Sequence, residues 1–172
     1  MTDTPYAFTV STPDGPFAFV ADHSAVLASG WTTVARLLAQ FGMDCETSPA
    51  GPARDSLPDQ AIAAVNAYYS GDLRAPQHIP VRQATGEFHH QVREVLRETR
   101  PGDLLTYTQL AARAGNPRAV RAAASACARN ATALFIPCHR VVRSDGSLGG
   151  FRYGLGIKQS LLDREKAAKL SL

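Results

Sequence analysis

The chain is expected to fold as two joined parts: an α/β first half that opens on a β-hairpin, and a mostly helical second half built on a helix-turn-helix. Alternating apolar and polar residues dominate the first thirty positions, whereas helical spacing dominates after Thr85. The charge changes sign at the same place. Residues 1–85 carry four arginines against eight acids, net −4, and residues 86–172 carry fourteen basic residues against seven acids, net +7. The overall +3 thus hides an acidic domain, 1–84, and a basic domain, 85–172, and the basic one is suited to a polyanion.

The elements follow in order. Tyr6 to Val10 alternates, Thr12-Pro-Asp-Gly-Pro16 is a turn cluster, and Phe17 to Val20 resumes with aromatic and β-branched residues, which together predict a hairpin. Ala25 to Trp31 is the expected third strand and Val34 to Phe41 a short helix ending before Gly42. Residues 48–58 are rich in Pro, Gly, Ser and Ala and read as loop. Ile62, Val65 and Tyr69 repeat at helical spacing, and Gly71 stops that helix. Gln77 to Arg82 is expected to be extended, because Pro76 and Pro80 confine it to an edge or a linker. In the second half, Phe88, Val92 and Leu96 form an amphipathic stripe that stops before Pro101-Gly102. Thr106 then suits an N-cap, a short helix runs to Gly115, and Asn116-Pro117 caps and opens a further helix to about Arg129.

Composition excludes several classes. With 172 residues, 45% hydrophobic and 19% charged, the chain is neither a disordered tail nor a fibre. No apolar run approaches the ~18 residues of a membrane helix, and the N-terminus lacks the basic start and apolar core of a signal peptide. Cys45, Cys127 and Cys138 form no CxxC pair, which argues against a disulfide framework and for a reducing, cytoplasmic compartment.

Two features carry chemistry. From Ala119 to Ala128 every residue but Arg121 is Ala, Val, Ser or Cys, so this helix can lie close against another surface. That surface is a neighbouring helix or a nucleic-acid groove; in the second case Arg121 is the side chain placed to plug it. The sharper feature is Phe135-Ile-Pro-Cys-His-Arg-Val-Val142, where a cysteine on a turn stands beside a base and near two arginines, Arg140 and Arg143. Thiolate is the reactive form of cysteine, and a neighbouring His or Arg favours it. Cys45 and Cys127 read instead as small buried side chains. A transcription regulator is a weaker reading, because its second helix would need long polar base-reading side chains where this one offers alanines. A thiol hydrolase is weaker too, having no need of a basic domain.

Pro137-Cys-His-Arg-Val141, preceded by Tyr107-Thr-Gln-Leu-Ala111 and Asn116-Pro-Arg-Ala-Val-Arg121, resembles the O6-alkylguanine-DNA alkyltransferase family in its stand-alone bacterial form. The resemblance takes in the residue 12–16 turn, the helix end at Asn66 to Gly71 and nearly everything from Gly86 to Glu165. It implies a ribonuclease H-like α/β domain with a three-stranded antiparallel sheet, followed by a winged-helix-like domain that carries the chemistry. It also implies irreversible transfer of an alkyl group from guanine O6, with thymine O4 as a second possible donor, to Cys138 after the nucleotide is flipped from duplex DNA. His139 matches the base that takes the thiol proton through a water, Glu165 the acid that orients it, and Asn130 the asparagine that shapes the turn. Tyr107 matches the residue that assists flipping and Arg121 the one that fills the gap. Lys158, Val141, Phe151, Arg152 and Tyr153 match the pocket. The family reading implies a monomer with no cofactor, and the first half has no Cys/His cluster for the structural zinc of some members. A binding-only relative would lack the acceptor cysteine, which is present here.

Overall fold

The hairpin forms where the turn cluster places it. Strand β1 (Tyr6–Thr12) pairs antiparallel with β2 (Gly15–Ala21), in a register that sets Thr12 against Gly15. Gly15 sits at φ +103, a conformation open to glycine at little cost. The Thr12 hydroxyl accepts from Asp14 N and donates to Gly15 O, which closes the turn. The structure, a computed structural model, describes residues 4–171. Among them the chain divides into two compact units, one of residues up to Gln83 together with Ala131–Phe135, the other of Ala84–Asn130 together with residues from Ile136 onward.

Unit 1 is a sheet with helices. Strand β3 (Val26–Gly30) pairs antiparallel with β2, and the two-residue β4 (Glu46–Thr47) pairs parallel with β1, giving the order β3-β2-β1-β4. The sheet is therefore four-stranded and mixed among the described residues, not three-stranded and antiparallel as expected. β4 escapes sequence reading because two exposed residues have no periodicity. Helix α1 (Val34–Phe41), capped by the Thr33 side chain, sets Leu37 against Ala7, Ala18, Val20 and Ala28. Helix α2 (Leu57–Tyr69), capped by Ser56, buries Ala61, Ala64, Val65 and Tyr68. Of Gln77 to Arg82, expected to be extended, the first two residues belong instead to a 3-10 turn (Ala75–His78): Pro76 fits the first turn of a helix as well as it fits an edge.

The expected single division after residue 84 also needs correcting. Ala131–Phe135 lies beside β3: Ser29 N donates to Ala131 O at 2.8 Å, and Ser29 Oγ to Ala133 O at 2.8 Å. Gln83 holds the same segment, accepting from Ala131 N and donating to Thr132 Oγ1. Phe135 packs with Phe17 and Phe19 at ring distances of 6.1 and 6.4 Å. The excursion covers a sheet edge that would otherwise present unpaired backbone groups.

Unit 2 is mostly helical. Helix α3 (Glu87–Glu98) buries Val92 and Leu96 of the predicted stripe. Helices α4 (Tyr107–Arg113) and α5 (Val120–Ala128) pack on each other and on α3, and α6 (Leu155–Leu170) closes the chain. Strands β5 (Leu105–Thr106) and β6 (Val141–Val142) pair parallel. α5 begins later than expected: Asn116 Oδ1 accepts from Arg118 N and Asn116 O from Ala119 N, so the residues after Asn116 form a turn rather than a first helical turn.

Candidate active site

Two short helices present the expected DNA-facing residues. Thr106 and Gln109 form a reciprocal capping box, with Thr106 Oγ1 accepting from Gln109 N at 3.1 Å and Gln109 Oε1 accepting from Thr106 N at 2.9 Å. This fixes the start of α4 and hence Tyr107, its half-buried first residue. The phenol lies over Gly149, where a Cβ would stand 2.9 Å from the hydroxyl. Burial pushes the Tyr107 phenol up, so it stays protonated. On α5, Ala123 and Ala126 are buried while Arg121 is exposed.

The cysteine is held by the turn before it. Asn130, 3% exposed, donates through Nδ2 to Ile136 O at 3.0 Å, and Cys138 N donates to the same oxygen at 2.9 Å. Cys138 opens a 3-10 turn (Cys138–Arg140) that leads into β6. Its side chain is half-buried. Burial pushes the thiol up, opposed by a hydrogen bond from the Asn130 side chain and by the charges of Lys158 and Arg152.

The next two residues reach α6. His139 Nε2 lies 2.7 Å from Glu165 Oε1, with both side chains essentially inaccessible. Against a carboxylate Nε2 is the donor, which leaves Nδ1 as acceptor; Nδ1 is buried and has no hydrogen-bond partner among the described residues. Arg140 forks onto the same carboxylate, Nε to Oε2 at 2.9 Å and Nη2 to Oε1 at 3.0 Å. Its Nη1 reaches both Thr99 O and Thr99 Oγ1 at 3.0 Å. Burial alone would raise the Glu165 carboxyl, but the charges and hydrogen bonds of His139 and Arg140 hold it well below the usual carboxylate range.

Lys158, 1% exposed, donates through Nζ to Val141 O at 2.7 Å and to the carbonyls of Leu148 and Gly150. Burial pulls this ammonium down, while Cys138 and Cys127 favour its charged form. Phe151 and Tyr153 meet edge to face at 5.8 Å, and Arg152 between them donates to Ala128 O.

Cys138, His139, Glu165, Asn130, Val141 and Lys158 are thus gathered in unit 2, whereas Arg121 stands out on an exposed helix face. Cys127, on α5, is half-buried, and burial pushes its thiol up. Sequence reading sets Arg140 near the cysteine as a charge favouring the thiolate, but leaves out Thr99 and the fork of Arg140 on Glu165. The signal available was the arginine itself: a guanidinium inside an apolar motif requires a buried acceptor. Among the described residues no group of three or more His, Cys, Asp or Glu side chains is placed to hold a metal.

Comparison with known proteins identifies relatives of this chain. The family pattern described as 6-O-methylguanine DNA methyltransferase, DNA binding domain, matches residues 87–167. The chain is 49% identical over 90 residues to the bifunctional transcriptional activator/DNA repair enzyme Ada of Escherichia coli, a match covering 52% of this chain and 25% of that protein. To the methylated-DNA–protein-cysteine methyltransferase of Methanosarcina barkeri it is 40% identical over 107 residues, 62% of this chain and 67% of that one. Mycobacterium tuberculosis OGT, solved in complex with DNA, superposes with a TM-score of 0.80 at 25% identity, covering 95% of this chain and 94% of that chain. With 40% identity extending over two thirds of a methyltransferase, this chain belongs to the O6-alkylguanine-DNA alkyltransferase family.

Proposed function

We propose that this protein repairs DNA directly, moving the alkyl group of O6-alkylguanine in duplex DNA onto Cys138, once per molecule. The observation that carries this reading is the buried Glu165–His139 pair next to the half-buried Cys138, on one helix and one turn. Glu165 orients the imidazole so that Nδ1 accepts the thiol proton through a water. Cys138 Sγ attacks the alkyl carbon, an S–C bond forms, and the C–O6 bond breaks with its electron pair going to the guanine. The guanine takes up one proton, so the thiol proton is conserved overall. The thioether has no base or water chemistry to release it, so the protein is consumed.

In this reading Arg121 fills the gap left by the extruded nucleotide and Tyr107 assists its extrusion. Asn130 shapes the cysteine turn, and the backbone of Cys138, Val141 and Arg152 reads the guanine edge beside Lys158. Phe151 and Tyr153 form the pocket lip. The +7 half supplies phosphate contacts, and the protein acts as a monomer without cofactor in a reducing cytoplasm. The test is incubation with duplex DNA carrying O6-methylguanine, followed by intact mass and peptide mapping. One methyl per molecule, on Cys138, is expected. Tight binding of the lesion with no mass gain would mark a recognition module instead.

A further inference from the structure

Arg140 is more buried than a surface cation needs to be and better held than a packing residue needs to be. It is 1% exposed, and its guanidinium spends its donors on Glu165 and Thr99. The Thr99 hydroxyl donates to Leu96 O at 2.6 Å, which leaves its oxygen turned to accept from Arg140. Thr99 also caps the end of α3, so the arginine satisfies a carbonyl that the helix leaves open. The planar fork on a carboxylate is a geometry that lysine cannot reproduce.

Its electrostatic consequence concerns the neighbouring pair. A buried carboxylate 2.7 Å from an imidazole would by itself stabilise the protonated ring. The Arg140 fork lies on both oxygens of that carboxylate, at 2.9 and 3.0 Å, so the two opposite charges offset one another. The reactive state of Cys138 and His139 has one proton fewer than their fully protonated state, whichever atom it leaves. A buried positive charge nearby favours that loss and a negative one opposes it. Other groups facing the pair do not replace this balance. Lys158 and Arg152 face the thiol from the pocket side, and burial keeps Cys127 and Tyr107 protonated and neutral. Asp103, beyond Arg140, has its own partner in Lys169 at 3.5 Å.

We propose that Arg140 is a positioning residue which cancels the Glu165 charge and so sets the pH at which the Cys138–His139 pair loses its reactive proton. Its use in alkyl transfer rests on the proposed function, but its test does not. The rate of Cys138 alkylation by iodoacetamide, mapped by peptide mass on the full chain without DNA, is followed against pH. In Arg140→Met the acid limb of this profile moves to higher pH by about one unit or more. Arg140→Lys keeps the charge and stays within about half a unit of wild type, at reduced rate. A natively folded Arg140→Met with the wild-type limb overturns the proposal. Should circular dichroism show that variant unfolded, Glu165→Gln serves instead: it leaves Arg140 uncancelled, and its limb moves to lower pH by about one unit or more. A limb that stays or rises there overturns the proposal equally. Methyl transfer from O6-methylguanine duplex is measured alongside. Wild-type protein that reacts with iodoacetamide but accepts no methyl would refute the alkyl-transfer reading and leave this one standing.

Discussion

Among the described residues unit 1 and unit 2 each bury one acid, Asp22 and Glu165, and their partners differ. The Asp22 side chain, 1% exposed, accepts through Oδ1 from Ser24 N, Ser24 Oγ and Ala25 N at 2.8–2.9 Å, all within three residues of itself. Arg82, on the surface, binds its other oxygen. Glu165 receives the His139 ring and the Arg140 fork from 26 and 25 residues away. The first network is closed: the donors to Oδ1 are local, Arg82 reaches the other oxygen from 60 residues away, and none leads to a reactive atom. The second is open at one end, because the histidine that binds the acid keeps a free ring nitrogen. A depressed carboxylate is therefore no mark of a site by itself; what marks one is a titratable partner with a further bond to make.

The strongest way to break this comparison is to remove the atom at the open end. Cys138→Ser should bind lesion-bearing duplex as wild type does yet lose methyl transfer by about 10³-fold or more, since a hydroxyl is deprotonated far less readily than a thiol. Residual transfer by the serine variant, read by intact mass, would place the acceptor elsewhere. Next in size is the matched pair of acid-to-amide changes. Glu165→Gln should slow transfer by about 10²-fold. Asp22→Asn should leave the single-turnover rate within about twofold, because nothing connects its network to Cys138. Equal losses in the two variants would erase the distinction.

The sequence discloses some of this layout and hides the rest for a physical reason. The residue 12–16 turn, α1 and the α3 stripe are local features, written in neighbouring residues, and they stand where they were expected. The Cys138–His139 pair is legible for the same reason. The crossing of 131–135 into unit 1 is not, since Ser29 and Ala133 meet over 104 positions. Arg140 lies inside the sharpest motif of the chain and reads there only as a charge near the thiol. Its meaning resides in Thr99, 41 residues away, and in the second oxygen of Glu165. The 3-10 turn at Ala75–His78 shows the converse: Pro76 was visible, but a proline alone permits both an edge strand and a helix start.

Asp22 gives a smaller, thermodynamic contrast. Burial would raise its carboxyl, but hydrogen bonds from Ser24, Ala25 and Arg82 bring it down to about 2 from an ordinary 3.8. A depressed folded-state value stabilises the fold above the ordinary value, and that stability is lost as pH falls through about 2. The contribution at neutral pH is about 2 kcal/mol, less the screened share from Arg82, which is 54% exposed. Urea unfolding of wild type and Asp22→Asn should therefore differ at pH 7 and converge toward pH 2. A constant gap would mean that packing, not ionisation, holds this corner.

Smaller again is the effect expected at the exposed end of unit 2. Arg121→Ala should lower transfer from duplex by about tenfold, while transfer from free O6-alkylguanine base changes by less than about twofold, because a plug stabilises the extruded nucleotide and not the reaction. Equal losses on both substrates would remove Arg121 from the DNA face.

The smallest change sharpens the contrast between a held residue and a free one. Gly149 lies at φ +74, and a Cβ there would stand 2.9 Å from the Tyr107 hydroxyl and 3.3 Å from its Cε2. The loop has little freedom to withdraw, since Lys158 binds the carbonyls on either side, at Leu148 and Gly150. Gly149→Ala should thus cost about 1 kcal/mol from backbone strain and displace the phenol as well. Duplex transfer falls a few-fold, while iodoacetamide alkylation of Cys138 keeps its rate. Tyr107→Phe removes the nearest clashing atom, so Gly149→Ala should cost less stability in that background than in wild type. Strictly additive losses in the double variant would show that the strain lies in the loop alone and that Gly149 does not hold Tyr107 in place.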